Sequence, residues 1–283
     1  MSPQSPESPA SPSTAAGLII ARDGPLLTVT FDRPGKRNSF TDEMVAELTD
    51  VVAAAGNDES VRAVLLTGAG EHFCSGFDIV TRNASATLEG APPRRPRAGS
   101  IQRRLPGQAH RLIPVLLETQ VPIIAAVRGW AAGIGLAFAL AADVTVASET
   151  ATFWAPFSSR GFTPDSGVSW LLPRRVGEVR ARRMLLLGEK VDGATAADWG
   201  MIDRCVPDDQ LEHQAGELAR QLAGSATVAI GLSKWLMHAG RDASLDQHLR
   251  NEAFAMELSS RSEDFKEGLA AFASKRPTQF TGR

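Results

Sequence analysis

The chain has 283 residues, 43% of them apolar and 22% charged, enough for one large globular domain or two small ones with most of the apolar surface buried. Thirty basic against 32 acidic side chains leave a net charge of -2, which excludes the basic excess needed to bind nucleic acid or an anionic membrane. Only Cys74 and Cys205 are present and tyrosine is absent, which excludes a disulfide scaffold, a Cys-rich zinc site and any tyrosine acid, base or nucleophile.

Residues 1–16 repeat Ser-Pro and carry little apolar mass, which predicts a disordered tail. That tail lacks the basic start and apolar run of a secretory signal, so a cytoplasmic location is expected. Leu18–Ala21 and Leu26–Phe31 flank Asp23-Gly24 and predict a hairpin. Ser39 and Asp42 mark a helix start, and Met44, Val45, Leu48, Val51, Val52 and Ala55 follow at helical spacing. Val61–Thr67 predicts a buried strand. Pro92, Pro93, Pro96 and Pro106 interrupt an arginine-rich stretch, so residues 82–107 are expected to form a mobile loop without regular structure. That loop is either a solvated surface segment or a lid whose arginines meet an anionic ligand.

A helix to about Glu118, the strand Pro122–Val127, a glycine-rich turn, a buried helix and the strand Val144–Ala147 come next. Continuous apolar strands alternating with helices imply parallel pairing in an α/β core over residues 17–207. From Asp208 to Phe272 the pattern is wholly helical, which predicts a C-terminal helical region over 208–283. The longest apolar stretch, Gly129 to Ala142, is too short to span a bilayer, so no membrane partner is expected.

The chain has no Gly-x-Ser-x-Gly elbow, Walker loop or Gly-x-Gly-x-x-Gly fingerprint, and its five histidines lack metal spacing. No metal is expected. Two glycine turns remain. Gly76, in Glu71–Ile79, follows a strand, and Gly129–Gly135 lies between a strand and a buried helix. Facing each other, they would form an oxyanion hole of main-chain amides at a helix N-terminus. Glycines at such junctions also serve simply to relieve crowding.

The motifs Phe31–Asn38, Phe73–Asp78, Gly129–Asp143, Thr163–Gly167, Ala196–Ile202 and Glu267–Pro277 occur in the order of the enoyl-CoA hydratase/isomerase (crotonase) superfamily. The chain resembles that superfamily over nearly its whole length after residue 16. The resemblance implies a spiral of ββα units with a C-terminal helical trimerisation region, assembled as a homotrimer or a dimer of trimers. It implies an acyl-CoA substrate, with no cofactor beyond the substrate's coenzyme A and no nucleic-acid partner. The amides of Phe77 and Ile134 would bind the thioester oxygen. Backbone around Lys36, Arg37, Asn38 and Ser75, and the Lys275 side chain, would hold coenzyme A. Ile134 stands where relatives carry glycine; its N–H is retained, but isoleucine tolerates positive φ badly.

The resemblance also places the two hydratase glutamates at positions that here hold Ala137 and Phe157. Neither side chain moves a proton. Asp165, in Pro164-Asp165-Ser166-Gly167, matches aspartate-using members such as phenylacetyl-CoA epoxide isomerases. It is either the proton shuttle of a double-bond shift or the N-cap of a helix starting at Ser166. The 4-chlorobenzoyl-CoA dehalogenases suggest another pairing, Asp165 as nucleophile with His110, although a lone helical histidine is commonly a partly exposed surface residue. The expected activity is an enoyl-CoA isomerase. The alternatives are a hydratase in the broad sense, an aspartate-nucleophile dehalogenase or hydrolase, and a non-catalytic acyl-CoA binder.

Overall fold

The computed structural model describes residues 13–15, 17–79, 99–107 and 109–283. Most of the Ser/Pro tail and residues 80–98 of the arginine-rich stretch lie outside the described residues.

The described part of the tail departs from the expectation of disorder. Ser13–Ala15 forms β1, antiparallel to β2 (Leu18–Asp23), which in turn forms the expected hairpin with β3 (Leu26–Phe31). The Ser-Pro repeat ends at Pro12, so the three residues after it retain the N–H groups that edge pairing needs. Helix α1 (Asp42–Asn57) buries Met44, Val45, Leu48, Val52 and Ala55 on one face. Its cap is Thr41 rather than the expected Ser39, with the hydroxyl accepting the Met44 N–H at 3.3 Å. Strand β4 (Ala63–Gly68) follows.

Residues 99–107 correct the expectation of an unstructured loop through Gly107. Ser100–Arg104 is a short helix, α2, and Leu105–Gly107 a 3-10 turn. The preceding prolines cluster at 92–96, which leaves residues 99–105 free of proline and able to close helical hydrogen bonds. Helix α3 (Ala109–Glu118), β5 (Ile123–Val127), β6 (Trp130–Ala132), α4 (Ile134–Ala141), β7 (Val144–Ser148) and β8 (Thr152–Trp154) come next. They are followed by α5 (Val168–Leu187), β9 (Lys190–Asp192), α6 (Gly193–Asp198) and β10 (Arg204–Val206). The last four helices are α7 (Leu211–Ala223), α8 (Thr227–Ala239), α9 (Leu245–Ser259) and α10 (Glu263–Ala273).

Seven strands form one sheet in the order β1-β2-β3-β4-β5-β7-β10, and pairing from β3 onward is parallel, as the apolar strands predicted. A second sheet, β6-β8-β9, consists of three-residue strands and was not foreseen. One face of the large sheet is covered by α7, whose Leu211, Ala215, Ala219 and Ala223 pack with Ala63, Ile124, Ala126 and Val146. The other face meets the main core, which includes every residue of α4 except Gly135. Within the Trp199–Ile202 segment, Met201 and Ile202 are buried in the core.

The helical region is tied to the core by a buried ion pair. Lys234 on α8 places Nζ 2.7 Å from Asp143 Oδ2 and also donates to the carbonyls of Leu116 and Val121 at 2.9 and 3.4 Å. Asp143 additionally accepts the Ile123 N–H at 2.8 Å. Burial holds the Asp143 carboxyl above its ordinary range and the Lys234 ammonium below its own, and each charge opposes the other's shift. Removing one partner strands the other. Lys234→Met is expected to destabilise the fold by about 3–5 kcal/mol. Thermal unfolding should show a clear fall in Tm, partly restored in the Lys234→Met/Asp143→Asn double variant.

Candidate active site

The two glycine turns lie against each other. Cys74 and Ala131 form a parallel β-bridge, with the Cys74 N–H donating to Trp130 O at 2.8 Å and the Ala132 N–H to Cys74 O at 2.9 Å. Gly76 has φ +113° and Gly133 φ +56°, values that L side chains avoid. A Cβ on Gly133 would stand 3.7 Å from Gly76 Cα, and one on Gly135 would overlap the Cys74 carbonyl. Phe77 and Ile134 are the residues immediately after these two glycines, so adjoining turns carry them. Ile134 opens α4, where a first-turn N–H has no intrahelical acceptor, and Gly133 supplies no side-chain cap. The positive φ falls on Gly133. Ile134 itself begins the helix with its side chain buried, so isoleucine is unstrained there.

The Phe77 turn is fixed by a second loop that the sequence did not single out for this role. Phe77 bridges Phe40; the Phe40 N–H donates to Gly76 O at 2.9 Å, and the Asp78 N–H to Phe40 O at 2.8 Å. Arg33 donates from Nη2 to Asp78 Oδ2 at 2.9 Å and from Nη1 to the Ser39 carbonyl. Asn38, fully buried, accepts the Arg33 N–H and donates to the carbonyls of Ala69 and His72. Both partners lay within the motifs Phe31–Asn38 and Phe73–Asp78, but only the fold shows that they meet. Lys36 and Arg37 are exposed on the same loop, and the Ser75 N–H donates to Arg37 O at 3.0 Å. Lys36, Arg37, Asn38 and Ser75 are therefore gathered beside the Phe77 turn. Lys275 is exposed beyond α10, and among the described residues no hydrogen bond or ion pair of its side chain reaches these turns.

Cys74 lies within the turn, but burial pushes its thiol up to about 12, so it is an inert core residue. Ala137 on α4 and Phe157 are both buried, and Phe157 packs edge-on against Phe162 at 5.6 Å between centroids. Asp165 is half-buried and accepts the Ser166 hydroxyl at 3.1 Å. It is not the helix cap. Ser166 is left-handed at φ +51° and Gly167 occupies the cap position at φ +76°, so α5 starts only at Val168. His110 on α3 and Ser166, next to Asp165, line one pocket of about 380 Å³.

A model of the enoyl-CoA hydratase/isomerase family matches residues 22–283. The chain belongs to that family. Among relatives of this enoyl-CoA hydratase/isomerase member, the 1,2-epoxyphenylacetyl-CoA isomerase of Escherichia coli K12 is 39% identical over 91% of this chain and 95% of its own. A probable enoyl-CoA hydratase of Rhodobacter capsulatus is 37% identical with the same coverage. The crystal structure of a putative enoyl-CoA hydratase from Streptomyces coelicolor A3(2) superposes with a TM-score of 0.85 at 33% identity, covering 99% of this chain and all of that one. The crotonase fold expected from the sequence is the fold observed. Among the described residues, no helix is long and apolar enough to cross a membrane.

Proposed function

We propose that this enzyme shifts a double bond within an acyl-CoA thioester, with Asp165 as the proton shuttle and the amides of Phe77 and Ile134 binding the thioester oxygen. In a 3-enoyl-CoA, the C2 proton is acidified by both the thioester and the alkene. Asp165 removes it, and the electron pair delocalises into a dienolate whose charge rests on the thioester oxygen. Two main-chain donors aimed at that oxygen stabilise the charge where it develops. Asp165 then returns the proton to C4, which gives the conjugated 2-enoyl thioester without water.

The observation that carries this reading is the burial of Ala137 and Phe157 at the positions of the hydratase glutamates. Apolar side chains there can neither hold nor split a water, which leaves Asp165 to transfer the proton. The name of the E. coli relative, an isomerase, accords with this. Mass spectrometry across a panel of enoyl-CoA thioesters tests it. Products of unchanged mass are expected, and a gain of water or loss of the acyl group would overturn it.

In the same reading, backbone at Lys36, Arg37, Asn38 and Ser75 and the Lys275 side chain hold coenzyme A, and no further cofactor takes part. Two unpaired cysteines suit a cytoplasmic location. The helical region serves assembly into a trimer or a dimer of trimers. Leu245, Leu249, Phe254, Met256, Leu269 and Phe272 are all more than half exposed on α9 and α10, more apolar surface than an isolated chain ordinarily shows to water. A Phe254→Glu/Leu269→Glu variant is expected to lower the mass measured by light scattering to that of a single chain.

A further inference from the structure

We infer that Arg33 is a positioning residue for the reaction, one that aims the Phe77 amide by pinning the turn on both sides of it. The Gly76–Phe77 peptide is trans and planar, so its N–H points opposite to its C=O. Gly76 O accepts the Phe40 N–H at 2.9 Å and lies 3.9 Å from the Cys74 sulfur. With that oxygen committed to Phe40, the Phe77 N–H is turned away from Phe40. The next peptides are fixed as well, because Phe77 O accepts the Ile79 N–H at 2.9 Å and the Asp78 N–H donates to Phe40 O at 2.8 Å.

The two bonds to Phe40 depend on where Phe40 sits relative to Asp78, and Arg33 spans that gap. Its Nη1 donates at 2.6 Å to the carbonyl of Ser39, the residue before Phe40. Its Nη2 donates at 2.9 Å to the carboxylate of Asp78, the residue after Phe77. The Asp78 side chain is 8% exposed, so solvent screens this ion pair less than it screens a surface pair. Without the clamp the turn is free to shift, and a displacement of about 1 Å in a reacting geometry costs about a hundredfold in rate. Arg33 acts here only through Phe77, and the inference rests on the proposed function in taking the Phe77 amide as an oxyanion donor.

The carbonyl stretch of a bound thioester reads the hydrogen bonds at that oxygen, since donors polarise and weaken the C=O bond. Hexanoyl-CoA carrying carbon-13 at its carbonyl, which has no double bond to shift, is bound to the full-length protein and its infrared band compared with that of the free thioester. The band is expected to move to lower frequency in the unsubstituted protein and to move less in Arg33→Met, which keeps the aliphatic stem but loses both donors. Asp78→Asn, which spares the bond from Arg33 to Ser39, should show a smaller loss of the same kind. In Arg33→Met, kcat for a 3-enoyl-CoA should fall by up to about a hundredfold. KM should change little, because the main-chain bond from the Arg33 N–H to Asn38 survives the substitution and keeps the Lys36–Arg37 loop in place. An undiminished band shift in folded Arg33→Met overturns the inference even where kcat falls. Should Arg33→Met fail to fold, an undiminished shift in Asp78→Asn overturns it. A band that does not move in the unsubstituted protein removes the oxyanion hole and the inference with it. Failure of the isomerase reading alone leaves the band shifts intact and appears in the products formed from a 3-enoyl-CoA.

Discussion

Asp165→Asn is expected to lower kcat for isomerisation of a 3-enoyl-CoA by about 10²–10⁴, the range a positioned acid–base group contributes. Asparagine keeps the shape and can still accept the Ser166 hydroxyl, which Asp165 now holds at 3.1 Å, but it cannot carry a proton between C2 and C4. KM should change little, because the amides that grip the thioester do not depend on the carboxylate. The α5 cap position belongs to Gly167, so removing the charge at 165 costs no capping hydrogen bond. The appearance of the conjugated 2-enoyl thioester, followed by its absorbance, measures the rate. Full activity in a folded Asp165→Asn variant would remove Asp165 from the mechanism and the isomerase proposal with it.

The parallel sheet was legible because short apolar runs such as Ile123–Val127, bounded by turn residues, suit strands buried along their whole length. The helix Asp42–Asn57 was legible for the same kind of reason, since its buried residues recur at helical spacing. The sheet β6-β8-β9 was not, because three-residue strands carry no usable periodicity and are specified by partners far along the chain. At the site, the two glycine turns were visible as motifs, yet a lone glycine carries two meanings until its neighbour is known. That the Gly133 turn approaches the Gly76 turn is visible only in the fold.

The Arg33–Asp78 pair lies 45 residues apart in sequence, a separation at which no local pattern announces contact. The Asp165 cap followed from a sound propensity and failed because two consecutive left-handed residues, Ser166 and Gly167, delay the helix. Composition carries no position: the chain has 32 acidic residues, yet Ala137 and Phe157 are buried where the resemblance places the hydratase glutamates.

Replacing Ile134 by proline isolates the oxyanion donor from everything else at the site. Proline deletes one main-chain N–H, and the first position of a helix is where that deletion costs the fold least. Ile134 occupies that position in α4, so no helical hydrogen bond is lost. The residue before a proline must avoid the right-handed helical region, and Gly133, at φ +56° and ψ -117°, is already outside it. The remaining cost is the lost side-chain volume at a buried position, on the order of 2 kcal/mol, which Ile134→Val controls for in part. The fold should therefore survive while kcat falls by about 10²–10³, the penalty for losing one preorganised donor. The effect should fall on kcat more than on KM, since the charge on the thioester oxygen is largest at the dienolate. A folded Ile134→Pro variant that turns over a 3-enoyl-CoA as fast as Ile134→Val would show that the amide at 134 takes no part in the reaction.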